Sequence, residues 1–183
     1  MAPSEQPASP ALHSQLRDGS LAGSWTLDPA RSEVVLHTRH TWGLRPLRGV
    51  FGRVSGHGTV TEDGAAGGVI TVTAESVDTR NPQRDKHLRS ADFFDVANHP
   101  AFTFTADSVT PTDDGVRVAG TLTVRDRTNP APFDAKVVST ADGELVLDGE
   151  LKINRADYGL TWNFIGIAAM DNTIAVHAVF TRG

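Results

Sequence analysis

Arg84, Asp85, Lys86 and His87 stand in a row, with Arg89 two residues on, inside the polar insert Ser76–Phe104. A carboxylate, an imidazole and guanidinium groups so close together are the materials of general acid–base chemistry. Asn81-Pro82 just ahead reads as a helix start, because asparagine caps free N–H groups and proline suits the first helical position. On that helix Arg84 and His87 (i,i+3) share a face, and Asp85 can pair with Arg89 at i,i+4. The same groups could instead cap the helix and tie it down by ion pairs. That reading is favoured, since no nucleophile with an evident base accompanies them. Asp78 and Asp95, at the two ends of the insert, read as turn or anchoring carboxylates.

Other candidate groups are scattered. His37 and His40 are three apart on a strand, so they point to opposite faces and cannot ligate one metal together. His57, His87, His99 and His177 have no ligand spacing such as HExxH, so no metal site is expected. Arg39-His40 beside Arg48, and Arg155 with Asp157, lie near strand ends, where they could bind a polar head or fix strand corners. There is no GxSxG elbow for an esterase and no glycine-rich loop for a nucleotide phosphate.

Composition excludes further classes. The chain of 183 residues contains no cysteine, which removes disulfides, thiolate metal sites and cysteine nucleophiles. Its net charge is −5 with both signs dispersed, so no basic patch addresses nucleic acid. No apolar run is long enough for a transmembrane helix. The first residues, MAPSEQPASPALHSQ, lack the basic and apolar regions of a signal peptide, and a cytoplasmic location is the expectation.

The elements that must position these groups are strands. Val34, Leu36, Thr38 and His40 share one face, as do Ile70, Val72 and Ala74. Phe102, Phe104 and Ala106 alternate with Thr103, Thr105 and Asp107. Val116, Val118, Gly120, Leu122 and Val124 form another apolar line, followed by Phe133, Ala135 and Val137. Asp142-Gly143 signals a tight hairpin into Leu145, Leu147, Leu151 and Ile153, and the chain ends on Ile174, Val176, Ala178 and Phe180. Gly67-Gly68 is read, with Asp63-Gly64, as bracketing a turn. About eight or nine antiparallel strands with one buried face close most simply into an up-and-down barrel, with a sandwich as the alternative. The reading is all-β, with one short helix near one end. Residues 1–23 read as a flexible arm in which Leu12 and Leu16, at i,i+4, allow a helical turn, and residues 24–183 as a single domain. Inward small residues (Ala74, Ala106, Gly120, Ala135, Gly149, Ala178) either leave room for a tunnel or interdigitate in a solid core, and pattern alone does not decide. Residues 156–172, broken by Gly159 and Gly166, are too irregular for a clean strand and fit a bulged strand or an apolar loop over the barrel mouth.

Several blocks together resemble the YceI-like family, the lipocalin-like polyisoprenoid-binding proteins. They are Trp25-Thr-Leu27-Asp28-Pro29 with Ser32, Arg39-His40, Arg48-Gly49-x-Phe51 and Ser55-Gly56. Ser76-Val-Asp78-Thr79, Arg84-Asp85-x-His87-Leu88-Arg89-Ser90, Asp92-Phe93-Phe94-Asp95, His99-Pro100 and Phe102-x-Phe104 follow in order. Gly120-x-Leu122-Thr123 and Asn154-Arg155-Ala156-Asp157-Tyr158-Gly159-Leu160 close the set. The resemblance implies a lipocalin-like barrel of eight strands whose long apolar pore holds an isoprenoid chain, with a homodimer as the common assembly. It favours the tunnel over the solid core. Many members carry a secretion signal, and none is expected here.

The function expected is binding, carriage or storage of an isoprenoid-type lipid (a polyprenyl chain, a quinone or a similar amphiphile), with no cofactor beyond that non-covalent ligand. An enzyme acting on such a lipid through the acid–base cluster is the alternative, and a filled structural barrel is a third reading. Strand parity nominates Leu36, Phe51, Phe94, Phe102, Phe104, Leu122, Leu151, Ile153, Trp162, Phe164, Ile165, Met170 and Val176 as pore-lining. Arg39, His40, Arg84, Asp85 and His87 are nominated as a polar rim, and Phe93 with Phe94 as the seal of one end.

Overall fold

Period-two alternation becomes, in the computed structural model, an antiparallel sheet that closes on itself. The structure describes residues 9–40, 44–139, 142–162 and 168–183. Its strands are β1 (Gly23–Leu27), β2 (Glu33–His40), β3 (Arg45–Phe51), β4 (Val54–Val60), β5 (Ala66–Thr73) and β6 (Val77–Asp78). They continue with β7 (Ala101–Pro111), β8 (Val116–Val124), β9 (Arg127–Pro130), β10 (Phe133–Ser139), β11 (Leu145–Asn154) and β12 (Asp171–Arg182). Two helices accompany them among the described residues, α1 (Ser9–Arg17) and α2 (Pro82–Arg89).

These twelve segments make eight staves. β1 and β2 both pair with β12, at different levels of that long strand. β3 pairs β2 while β4 pairs β1, so β3 and β4 form one stave broken at Gly52-Arg53. β5 pairs β4 and β6 pairs β3, and β9 and β10 both pair β8. Each stave neighbours the next in sequence, and β12 returns to β1, which leaves the closed up-and-down barrel that period two predicts.

The breaks explain where parity slips. Phe51 and Val54 should face opposite ways, yet both are buried, because the kink at Gly52-Arg53 resets the alternation. In β7 the register with β8 shifts between Ala106 and Ser108, a bulge after which Val109 joins the core. Gly67 and Gly68 are not turn residues as expected. They lie in β5 opposite Thr59 and Gly58, where a Cβ on Gly68 would sit 2.5 Å from the His57 carbonyl.

One end of the barrel is packed solid. Leu12 and Leu16 of α1 are buried, and the helix packs on β7 and β10. Leu12 and Leu16, expected in an arm with at most a helical turn, therefore belong to the core. Trp25 lies beside them, buried, with its indole N–H donating to the Leu21 carbonyl at 3.0 Å. The small inward residues do not leave a tunnel. A Cβ on Gly120 would come 2.8 Å from the Phe104 ring, and one on Gly149 would come 2.8 Å from the Phe133 ring. Those rings meet edge to face at 5.4 Å, so the missing side chains are the space the aromatics occupy. Among the described residues no helix is long and apolar enough to cross a membrane.

Candidate lipid-binding cavity

The opposite end is hollow. It holds a cavity of about 190 Å³. Its walls follow strand parity: Val34, Leu36 and Thr38 on β2, Leu47, Gly49 and Phe51 on β3, Ile70 and Val72 on β5, Phe102 and Phe104 on β7. Leu122 and Val124 on β8, Leu151 and Ile153 on β11, and Asn172, Ile174 and Val176 on β12 complete the ring. None of the six small inward residues lines it. The space lies instead against the larger wall residues.

The insert roofs this end. Asn81 caps α2 by accepting from the Arg84 N–H at 3.0 Å, with Pro82 at the first position. Ser90 closes the helix, its hydroxyl donating to the His87 carbonyl at 2.6 Å. The Phe94 N–H then donates to the Leu88 carbonyl and the Asp95 N–H to the Ser90 carbonyl, which folds the chain back under the helix. Phe93 and Phe94 are carried inward as a result. Their rings contact at 4.8 Å, and Phe94 meets Phe102 at 4.9 Å and Phe51 at 6.1 Å. All four rings line the cavity.

The acid–base trio is not assembled. Asp85 is buried away from the cavity wall, where its Oδ1 accepts from the Thr79 N–H at 3.0 Å and the Thr79 hydroxyl at 2.5 Å. Arg84 donates through Nε to the Thr79 hydroxyl oxygen at 2.8 Å and through Nη2 to the Thr79 carbonyl at 2.9 Å. Arg89 does not pair with Asp85; it donates to the carbonyls of Glu75 and Val77, both at 2.8 Å. Two arginines and one aspartate thus clamp the helix onto the rim, through backbone and hydroxyl groups rather than by ion pairs. Of the trio, Arg84 and His87 line the cavity.

A second segment covers the mouth. Asn154 caps a 3₁₀ turn, Arg155–Tyr158, accepting from the Ala156 N–H at 3.0 Å. Gly159 ends the turn at φ 73°, a left-handed conformation that favours glycine. Over residues 155–162 the apolar loop is therefore what forms, not a bulged strand. Leu160 is buried in the lining, and Trp162 stands at the mouth, 44% exposed. Arg155 is only 4% exposed and also lines the cavity. Its Nε donates to the Ala169 carbonyl at 3.1 Å and its Nη1 to the Trp162 carbonyl at 2.9 Å, while its guanidinium sits 5.5 Å from the centre of the Phe93 ring. Burial lowers the pKa of this group.

Ten of the nominated lining residues stand on this wall: Leu36, Phe51, Phe94, Phe102, Phe104, Leu122, Leu151, Ile153, Trp162 and Val176. Met170 is half-buried beside it, offering its carbonyl to the Arg155 N–H and the Asn172 amide rather than its side chain to the cavity. Phe164 and Ile165 lie outside the described residues, as does the His40 side chain. Arg39 is exposed on the outer face of β2, and its carbonyl accepts from Ala169. Parity could also have nominated Val34, Ile70, Val72, Val124 and Ile174, whose alternation is as clear as that of the chosen residues. No alternation marks Leu88, which reaches the cavity from α2, or Leu160 and Arg155, which reach it from the segment after β11. Among the described residues, no group of three or more histidines or carboxylates lies where a metal ion would need them.

A barrel with a packed end, a roofed apolar cavity and this order of motifs can be compared with known proteins. A family model described as the YceI-like domain matches residues 25–181. The chain belongs to the YceI-like domain family. Among curated YceI proteins, Protein YceI of Escherichia coli O17:K52:H18 is 37% identical over 110 residues, covering 59% of this chain and 56% of that protein. The match thus spans little more than half of that relative's length. Among solved structures, Burkholderia cenocepacia BcnA superposes with a TM-score of 0.77 at 22% identity, over 85% of this chain and 99% of BcnA. A polyisoprenoid binding domain from Saccharophagus degradans gives a TM-score of 0.65 at 17% identity, over 87% of this chain and 98% of that one. At these identities the likeness to the two solved structures is one of fold.

Proposed function

We propose that this YceI-like barrel binds and carries a long apolar chain of isoprenoid type, held in the cavity beneath α2. The observation that carries the reading is the cavity wall: aromatic and aliphatic side chains ring it, and its ionisable groups, Arg84, His87 and Arg155, are all supplied by the roofing segments. A wall of this kind rewards burial of hydrocarbon at about 0.8 kcal/mol per methylene and has little with which to hold a compact polar substrate. The name of the Saccharophagus degradans relative, a polyisoprenoid binding domain, supports the same ligand class. The commitment of Asp85 to Thr79 supports carriage over turnover, since the carboxylate that the alternative acid–base reading would use is spent on anchoring α2.

Native mass spectrometry of protein purified from cells, followed by organic extraction, tests the reading. A bound lipid that is released into solvent and replaced by a fluorescent prenyl analogue is the expected result. Absence of bound lipid, together with no uptake of the analogue, would overturn it.

A further inference from the structure

Charges that are dispersed in the sequence are sorted by the fold. The cavity lining ends at Thr38 on β2, Leu47 on β3, Val124 on β8 and Ile153 on β11. The chain beyond those residues, with the roofing insert and the approach to β12, surrounds the mouth. Those segments are residues 39–40, 44–46, 78–98, 125–127, 154–162 and 168–171. They carry nine basic and seven acidic side chains, a net of +2. The rest of the chain carries eight basic and fifteen acidic side chains, a net of −7. The cations away from the mouth are largely spent on ion pairs: Arg31 with Asp28 and Glu144, Arg48 with Glu33, Arg53 with Glu75 and Arg117 with Asp134. Arg45, Arg80 and Lys86 at the mouth are exposed, and among the described residues no carboxylate pairs with them.

Exposed apolar groups gather at the same end. Among the described residues three large hydrophobic side chains stand in solvent: Leu44 at 79% exposure, Val138 at 47% and Trp162 at 44%. Leu44 immediately precedes β3, whose first residue, Arg45, pairs with His40 at the end of β2. Trp162 belongs to the loop that covers the mouth, and the Ala169 N–H donates to the Arg39 carbonyl at 3.0 Å where the approach to β12 meets β2. Leu44 and Trp162 thus flank one opening, with unpaired cations beside them. Tryptophan and leucine partition into the boundary of a bilayer, and basic side chains are drawn to its anionic headgroups. Neither attraction holds a protein firmly alone, and the two act together here. The acidic remainder of the barrel is repelled by the same surface, which turns the mouth toward it.

Resting on the lipid-binding reading above for its cargo, we propose that the mouth of the barrel docks on an anionic lipid bilayer. Leu44 and Trp162 enter the headgroup boundary, and Arg45, Arg80 and Lys86 face the lipid phosphates. Docked in this way, an apolar tail passes between cavity and bilayer without exposing its methylenes to water.

The test sediments the full chain with vesicles of phosphatidylcholine alone and with vesicles in which phosphatidylglycerol replaces part of it. The anionic vesicles should bind at least about tenfold more tightly, and added salt should erase the difference. Arg45→Gln and Lys86→Gln should each weaken that binding about fivefold, and Leu44→Ser about tenfold. Lys136→Gln and Val138→Ser make the same kinds of change on β10, away from the mouth, and should bind like wild type. None of Leu44, Arg45 and Lys86 lines the cavity, so their variants should take up a soluble prenyl analogue as wild type does and receive it more slowly from anionic vesicles. Equal binding to both kinds of vesicle, or equal losses in the β10 variants, overturns the docking proposal and leaves the lipid reading standing. Binding of polyglutamate without binding of vesicles assigns the surface to an acidic protein and overturns it too. Vesicle binding with no uptake of the analogue by wild type overturns the lipid reading and the transfer role while the docking surface stands.

Discussion

The two ends of the barrel bury the same kinds of side chain and finish differently. At the α1 end the inward positions carry Gly120, Ala135, Gly149 and Ala178, and the space is taken by Phe104, Phe133 and the leucines of α1. At the α2 end the inward positions carry Leu36, Phe51, Phe102, Leu122 and Ile153, and a cavity remains. Gly120 and Gly149 stand where the barrel is filled, while large side chains make most of the wall where it is hollow. Room in a barrel is decided by what reaches into it from across the sheet and from its lids, not by the size of the wall residues alone. The cations differ in the same way. Arg31, on the outer surface near the packed end, pairs with Asp28 at 2.7 Å and Glu144 at 2.6 Å, whereas Arg155 is buried among carbonyls.

The contrast can be broken by mutation. Trp25→Ala removes a buried indole from the packed end and should cost about 3–5 kcal/mol of stability in urea unfolding, the range for aromatic truncation in closed cores. A loss under about 1 kcal/mol would mean that this end is not close-packed. Asp85→Ala should follow at about 2–3 kcal/mol, because it strands the Thr79 N–H and hydroxyl in a buried site. Amide exchange should then quicken in α2 and not in α1; equal quickening in both helices would deny that Asp85 acts locally.

Leu36→Ala sharpens the contrast from the hollow side. Leu36 already faces open space, so its truncation should cost less than the ~2 kcal/mol at which closed-core leucine truncations begin. A loss as large as that of Trp25→Ala would contradict the cavity.

The smallest effect belongs to Arg31→Gln. Side-chain hydrogen bonds from Arg31 are the leading cause that holds the Asp28 and Glu144 carboxyls below their ordinary values. A depressed folded-state pKa contributes stability above the unfolded value, about 4 for both groups, and that stability fades as pH falls through the folded values. Arg31→Gln should therefore lower Tm slightly near pH 7 and converge with wild type below about pH 4. NMR titration should show both carboxyls rising toward ordinary values. A Tm difference that persists unchanged in acid would exclude this pair as its source.

Much of the wall was legible because the period of a strand is fixed. Leu36, Phe102, Leu122 and Ile153 follow from alternation, and the start of α2 follows from Asn81-Pro82. Three things were not. The packing of α1 depends on the barrel end it covers, which no local pattern around Leu12 and Leu16 discloses. The filling of Gly120 and Gly149 depends on the rings of Phe104 and Phe133, carried by other strands. The partners of Asp85 and Arg155 are set by a turn and a loop whose approach the sequence spacing does not encode, so spacing favoured an anchoring role for Asp85 and left Arg155 between head group and corner, without naming the groups that hold either.

The central claim is that an apolar chain occupies the hollow end. Leu36→Trp projects an indole into that space from β2 and leaves the packed end untouched. Fluorescence titration of wild type and Leu36→Trp with the same prenyl analogue, alongside urea unfolding of both, tests it most directly. The account predicts saturable uptake by wild type and a loss of about tenfold or more in the variant, since roughly two methylenes' worth of displaced tail is sufficient for that change, with the variant still unfolding cooperatively. Equal uptake by a folded Leu36→Trp would place the lipid elsewhere and contradict the account.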